Sequence, residues 1–245
     1  MRQLRSQSRP NAEIQPVPPI KQQTKKRKVI IDAPKTKKQK GPPPSPPKAT
    51  PAPGDGIVRC KWSTNDPIYI EYHDSEWGDA VHSDQKLFEM LLLEGAQAGL
   101  NWLTILKRRE GYRAAFAGFD AKAVAAFSEE QVQALVSGDT GIIRNRAKVA
   151  SAVTNAKVFL CIQEEFGSFD AYIWKFAPAV RDREDFGTCR ATSPESHEMS
   201  KDLKKRGMGF VGPTICYAFM QAVGMVNDHE EACFKRSDAP SSPKV

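Results

Sequence analysis

Several things are scarce in this 245-residue chain, and each scarcity excludes something. The first 56 residues contain no Phe, Trp or Tyr but hold twelve of the eighteen prolines. A segment of that kind cannot bury enough apolar surface to offset ordering entropy, so it reads as a disordered tail. No apolar run is long enough to span a bilayer, and the N-terminus lacks the apolar core of a secretory leader. No membrane partner is expected. The five cysteines (60, 161, 189, 216 and 233) are odd in number and scattered. They argue against a disulfide scaffold and for a reducing compartment. From Val58 onward no convincing alternation of apolar and polar residues marks a strand.

What the tail does have is positive charge. It carries thirteen Lys or Arg against Glu13, Asp32 and Asp55, a net +10, which leaves −3 on the remaining 189 residues. Two basic clusters, Lys25-Lys26-Arg27-Lys28 and Lys35 to Lys40, resemble a bipartite nuclear signal, with a merely solubilising tail as the plainer reading. Gly41 to Pro53 is a stiff Pro-rich spacer. The chain therefore divides into a tail (1–56), a folded domain (57–235) and a short C-terminal tail (236–245).

Within the domain the helical period recurs, predicting a single all-α domain of eight to ten helices without internal repeats. Asp66-Pro67 opens a short helix bearing Tyr69, Tyr72, His73 and Trp77, stopped at Gly78. Ser83 is placed to cap the next helix, whose run Leu87 to Leu93 covers most of its circumference. Glu94 follows that run directly, among Gly95, Ala96, Ala98 and Gly99, with Trp102 eight positions on. A carboxylate there is costly unless it meets a partner or a ligand, and both readings fit. Further helices are predicted over 101–109, 111–116, 120–127 and 129–136, the last opened by a Ser128–Gln131 capping box. A long helix ends before Gly167, and Arg144, Arg146 and Lys148 near its start suit either a phosphate or solvent. A short helix over 168–176 follows, and the stretch 178–190 reads as a loop.

The end of the domain is the most distinctive stretch. A helix capped by Ser193 and Pro194 runs to Leu203, with Lys204, Lys205 and Arg206 in its last turn. Gly207, Gly209 and Gly212 permit a tight reversal, and Pro213 begins a second helix. A hairpin with free N–H groups at a helix N-terminus, beside a basic turn, suits a phosphate; a tightly packed helical hairpin is the alternative. Cys60 and His73 lie at the domain start, His229 and Cys233 at its end, the latter pair four apart, as on one helical face. Two thiols and two imidazoles match a closed tetrahedral zinc site, although the 13-residue gap between Cys60 and His73 is not a finger spacing. Buried thiols beside surface histidines would look the same in sequence.

The segments RCKW, DPIYIEYHDSEWG, LFEMLLLEGAQAGLNW, LTILKRREGYR, GIIRNRAKV and SKDLKKRGMGFVGPTICYAFMQAVGMVNDHEEAC, in that order, resemble the DNA-3-methyladenine glycosylase I family. That family belongs to the helix-hairpin-helix superfamily of base-excision enzymes, and the resemblance runs from Arg59 to Cys233. It implies a zinc clasp at Cys60, His73, His229 and Cys233, and a base pocket of Glu94, Tyr72 and Trp102 lined by Trp77 and Tyr69, with Glu94 as catalytic group. It also implies hairpin contacts to the DNA backbone through Gly207, Gly209, Gly212 and Lys205. The expected reaction is hydrolysis of the N-glycosidic bond of 3-methyladenine in double-stranded DNA, leaving an abasic site, by a monomer. No Lys lies between Gly212 and Asp228, which disfavours Schiff-base lyase chemistry. The tail would address the protein to the nucleus of a eukaryote through an import receptor bound at Lys25 to Lys40; without a nucleus the location would be cytoplasmic. A non-catalytic damage-binding module is the competing function. Asp228 is expected to orient His229 or shape the clasp rather than to act in catalysis. Met208-Gly209 departs from the family pattern and is expected to loosen the hairpin, while Ala96 and Asn101 depart beside the pocket.

Overall fold

The computed structural model describes residues 55–180 and 190–236. Both basic clusters, the Pro-rich spacer, Cys189 and residues 237–245 lie outside the described residues. The described residues form ten α-helices and no strand: α1 Pro67–Ser75, α2 Asp84–Gln97, α3 Trp102–Leu106, α4 Arg109–Ala115, α5 Ala121–Ala125, α6 Glu129–Ser137, α7 Arg146–Phe166, α8 Phe169–Ile173, α9 Pro194–Lys205 and α10 Pro213–Ala222. Short 3-10 turns occupy Lys61–Ser63, Ala117–Phe119 and Trp174–Phe176.

Local chemistry sets most of the boundaries. The Asp66 carboxylate caps α1 at the N–H of Ile68. The Ser128 and Gln131 side chains close the capping box that opens α6. Ser193 and Ser196 do the same for α9, with Pro194 at its first position. Ser83 precedes α2 as expected but makes no cap bond. The next residue, Asp84, turns its carboxylate outward instead, accepting from the N–H groups of Phe169 and Asp170 at 2.8 Å each, so that α2 caps α8. The predicted helix 101–109 is interrupted at Arg108 (φ −107°, ψ 3°), where the chain breaks between α3 and α4.

α2 and α7 form the centre. Ten of the fourteen residues of α2 are buried, from Leu87 to Ala96, and it packs against α3, α7, α8 and α10. An all-round buried helix must also bury polar groups, and Glu89 is one. Arg109 Nε donates to Glu89 at 2.7 Å while its two terminal nitrogens grip Glu76 at 2.7 and 2.8 Å. Burial pushes Glu76 up, but the bonds from Arg109 and Lys86 outweigh it and hold the acid at about 2. This buried network ties the end of α1 to α2 and α4.

Candidate active site and metal centre

Two consecutive residues of α1, Tyr72 and His73, point toward two different sites, because successive helical side chains are set about 100° apart. Tyr72 belongs to an aromatic pocket with Trp102 at the start of α3, the ring centroids 5.4 Å apart. Glu94, on the last turn of α2, is 3% exposed, and its Oε2 has no hydrogen-bond partner among the described residues. The buried indole Nε1 of Trp102 has none either. Burial alone drives the Glu94 carboxyl up to about 8, so it is mostly protonated at neutral pH. Burial and the nearby Glu94 charge both push Tyr72 upward. Tyr69 is raised by burial and feels Glu94 as well. Unpartnered polar atoms in a buried pocket carry a cost that a ligand with complementary groups would remove.

His73 faces the other way. The donor atoms of Cys60, His73, His229 and Cys233, all buried, lie within 4.8 Å of one another. Cys233 Sγ is 3.4 Å from both His73 Nε2 and His229 Nδ1, and Cys60 Sγ is 3.5 Å from His229 Nδ1. The bond to Cys233 and burial raise the Cys60 thiol far above its ordinary range. Two such sulfurs resist carrying charge together unless a cation lies between them. The chemistry of the donor set therefore fits a metal ion. Its surroundings orient the rings: Asp74 accepts from His73 Nδ1 at 2.8 Å and is itself held by Arg59 Nε at 2.9 Å to each oxygen. His229 Nε2 meets the Trp77 carbonyl at 3.3 Å. Gly78, at φ +82°, lets this ring approach, since a Cβ there would stand 2.7 Å from His229 Nε2.

Several expectations need correction. His229 and Cys233 do not share a helical face: the segment is a turn closed by Cys233 N–H to Glu230 C=O, and the four-residue spacing is used differently. Asp228 accepts from Tyr217 and Gln221 of α10 at 2.7 Å each, fastening the chain to that helix, while the Trp77 carbonyl meets His229. Trp77 stands with the Cys60, His73, His229 and Cys233 cluster, 4.6 Å from the His229 ring and 4.8 Å from Trp62, instead of beside Trp102. In the α9–α10 turn, Gly207 N–H donates to Lys204 and Gly209 N–H to the Asn155 side chain, so neither is free to face outward. Gly212 caps α10, and among the described residues its N–H makes no backbone hydrogen bond. Lys205 is exposed. Gly209 also tightens rather than loosens the turn: Asn155 bonds both its N–H and its C=O, at 2.8 and 3.0 Å, and a Cβ there would meet Ser151 at 3.1 Å.

Trp62, Asp74 and Asn155 were not anticipated, and Lys148, read as suiting a phosphate or solvent, instead donates to the Ala96 and Ala98 carbonyls. The His73-Asp74 adjacency was a visible signal for one of them; the others depend on helix packing. Arg146 pairs with Glu129 and Gln133, and Arg144 is exposed.

The methyladenine glycosylase family matches residues 62–236. This chain belongs to that family. Among relatives of this methyladenine glycosylase family member, the DNA-3-methyladenine glycosylase 1 of Escherichia coli is 48% identical over 180 residues, covering 72% of this chain and 96% of that protein. The Haemophilus influenzae DNA-3-methyladenine glycosylase is 45% identical over 179 residues, again 72% and 96%. A crystal structure of a 3-methyladenine DNA glycosylase I, 45% identical, superposes with a TM-score of 0.70 over 75% of this chain and all of the other. Another, 32% identical and solved with 3-methyladenine bound, gives 0.68 over 76% and 98%.

Proposed function

We infer that this member of the methyladenine glycosylase family is a monofunctional DNA glycosylase that removes 3-methyladenine from alkylated double-stranded DNA by hydrolysis. The observation that carries the reading is Glu94, a carboxyl enclosed beside Tyr72 and Trp102 with an oxygen left unpartnered. An alkylated adenine flipped from the stack is electron-poor and cationic. Its flat face suits Trp102, and its edge supplies donors to Glu94. An empty pocket favours the protonated acid, but a cationic base restores the carboxylate by charge pairing. An unmodified base offers no such charge, which gives selection without a strong acid catalyst. N3 alkylation makes the base a good leaving group, and water attacks the anomeric carbon.

The Cys60, His73, His229 and Cys233 set is assigned to a structural zinc. Tetrahedral zinc, with bonds of about 2.3 Å to sulfur and about 2.0 Å to nitrogen, spaces its donors by roughly 3.5 Å. The closest sulfur–nitrogen separations of 3.4 and 3.5 Å support that assignment. Four protein donors leave no open position, so the ion supplies crosslinking of the domain ends and no chemistry. The α9–α10 unit is read as the helix-hairpin-helix that grips a DNA phosphate, with Gly212 and exposed Lys205 as contacts. The basic clusters of the tail support nuclear import.

The test is base release from methylated duplex, measured by chromatography, beside Glu94→Gln. Release of 3-methyladenine that falls by about two to three orders of magnitude in the variant is the expected result. An equal rate in the variant would remove Glu94 from the site. No release from the folded, metal-loaded protein would point to a non-catalytic damage-binding module.

A further inference from the structure

The end of α2 presents an accounting problem. Its last carbonyls have no intrahelical partners, and they lie between Glu94 and Trp102, the two groups whose placement matters most. Gly95 C=O accepts from Ala98 N–H at 3.4 Å, and Gln97 C=O from Leu100 N–H. The carbonyls of Ala96 and Ala98 are both satisfied by one cation from another helix: Lys148 Nζ, on the first turn of α7, donates to them at 2.8 and 2.7 Å. Little else holds this segment. Gly99, Leu100 and Asn101 are exposed, with Gly99 at φ +74°. The Gly95–Ala96 side of the helix borders a cavity lined by Lys148 itself with Ser151, Asn155 and Phe210.

We propose that Lys148 is a positioning residue of the glycosylase: its ammonium fixes the C-terminal turn of α2 and the Ala98–Asn101 loop, and so sets Glu94 against Trp102. A positive charge at a helix C-terminus is favourable in itself, and two charge-assisted bonds, one to Ala96 in the last turn and one to Ala98 just past it, fix both direction and distance. One face of α7 thereby holds two separate parts, since Asn155, seven residues on, clamps Gly209 in the α9–α10 turn. Lys148 serves the pocket, and Asn155 serves the turn.

The inference rests on the glycosylase reading, and its test separates the two. Lys148→Met keeps the aliphatic stem and loses the ammonium; Lys148→Arg retains charge and donors. Melting temperature, base release, affinity for a duplex holding an abasic-site analogue, and hydrogen exchange of the 96–103 amides are compared with the parent protein. The Met variant is expected to stay folded and to retain duplex affinity within threefold. Its base-release rate at saturating duplex should fall at least tenfold, exchange should rise in 96–103 alone, and Arg should restore part of the rate. A folded Met variant with unchanged release and unchanged exchange overturns the proposal, as does a loss of duplex affinity equal to the loss of rate. If the parent protein released no base, the glycosylase reading would fall, and the exchange comparison would still decide whether Lys148 holds the loop.

Discussion

Glu89 and Glu94 lie five residues apart on one helix, at 4% and 3% exposure, and have opposite fates. Glu89 is met by Arg109, Arg113 and Lys86. Among the described residues Glu94 pairs with no cation, and one of its oxygens has no hydrogen-bond partner. Desolvation costs both alike; only Glu89 recovers the cost from partners within the chain. The contrast separates a carboxylate that holds helices together from one held ready for something outside the chain. The metal donors resemble the first in being surrounded by fixed partners, such as the Arg59–Asp74–His73 relay.

The comparison breaks most sharply at Glu89. Glu89→Ala leaves Arg109 buried with one carboxylate fewer, and denaturant titration should show a loss of about 3–5 kcal/mol. Glu94→Gln should do the reverse. Folding raises this acid from 4.5 to about 8, so the folded state binds the extra proton and loses stability as pH rises across that interval. The variant should therefore be more stable than the parent by about 2–4 kcal/mol at pH 8 and no different near pH 4. Equal melting temperatures across that range would place a partner at Glu94. In kcat/KM, the parent's base release should rise with pH toward about 8, because pairing with a cationic base needs the ionised form of the free enzyme.

Asp74→Ala should sharpen the comparison at the metal end. Competition with a chelating dye is expected to show about tenfold weaker metal binding, since His73 loses its orienting carboxylate. Unaltered affinity would make the relay incidental. The smallest effect is expected at the tail: deletion of residues 1–56 removes +10 of charge and should flatten the salt dependence of duplex binding. An unchanged slope would confine the tail to targeting.

Helix identity was largely legible in the chain, because caps and turns act over a few residues: Asp66, Ser128, Ser193 and Pro213 each mark a start that the structure shows. The break at Arg108 was not legible, since no cap residue marks it and the next residue, Arg109, pairs with distant Glu76 and Glu89. The anomaly of Glu94 was visible as a carboxylate after an apolar run. Its unpartnered state was not, for the same pattern would hold a paired Glu89. Trp77 shows the limit from the other side: a helix-adjacent aromatic near Tyr72 was assigned to the pocket, but the turn at Gly78 directs it to His229.

Composition and local patterning by themselves determined an all-helical domain, a strongly basic first 56 residues and the residue types for a metal clasp, because these depend on burial capacity, charge count and short-range caps. Tertiary structure alone decided which buried charges were paired, that Lys148 reaches α2 and Asn155 the α9–α10 turn, and that Asp228 turns toward α10. Each of those bonds closes between residues far apart in the chain or across a turn, and its strength depends on distances that only packing sets.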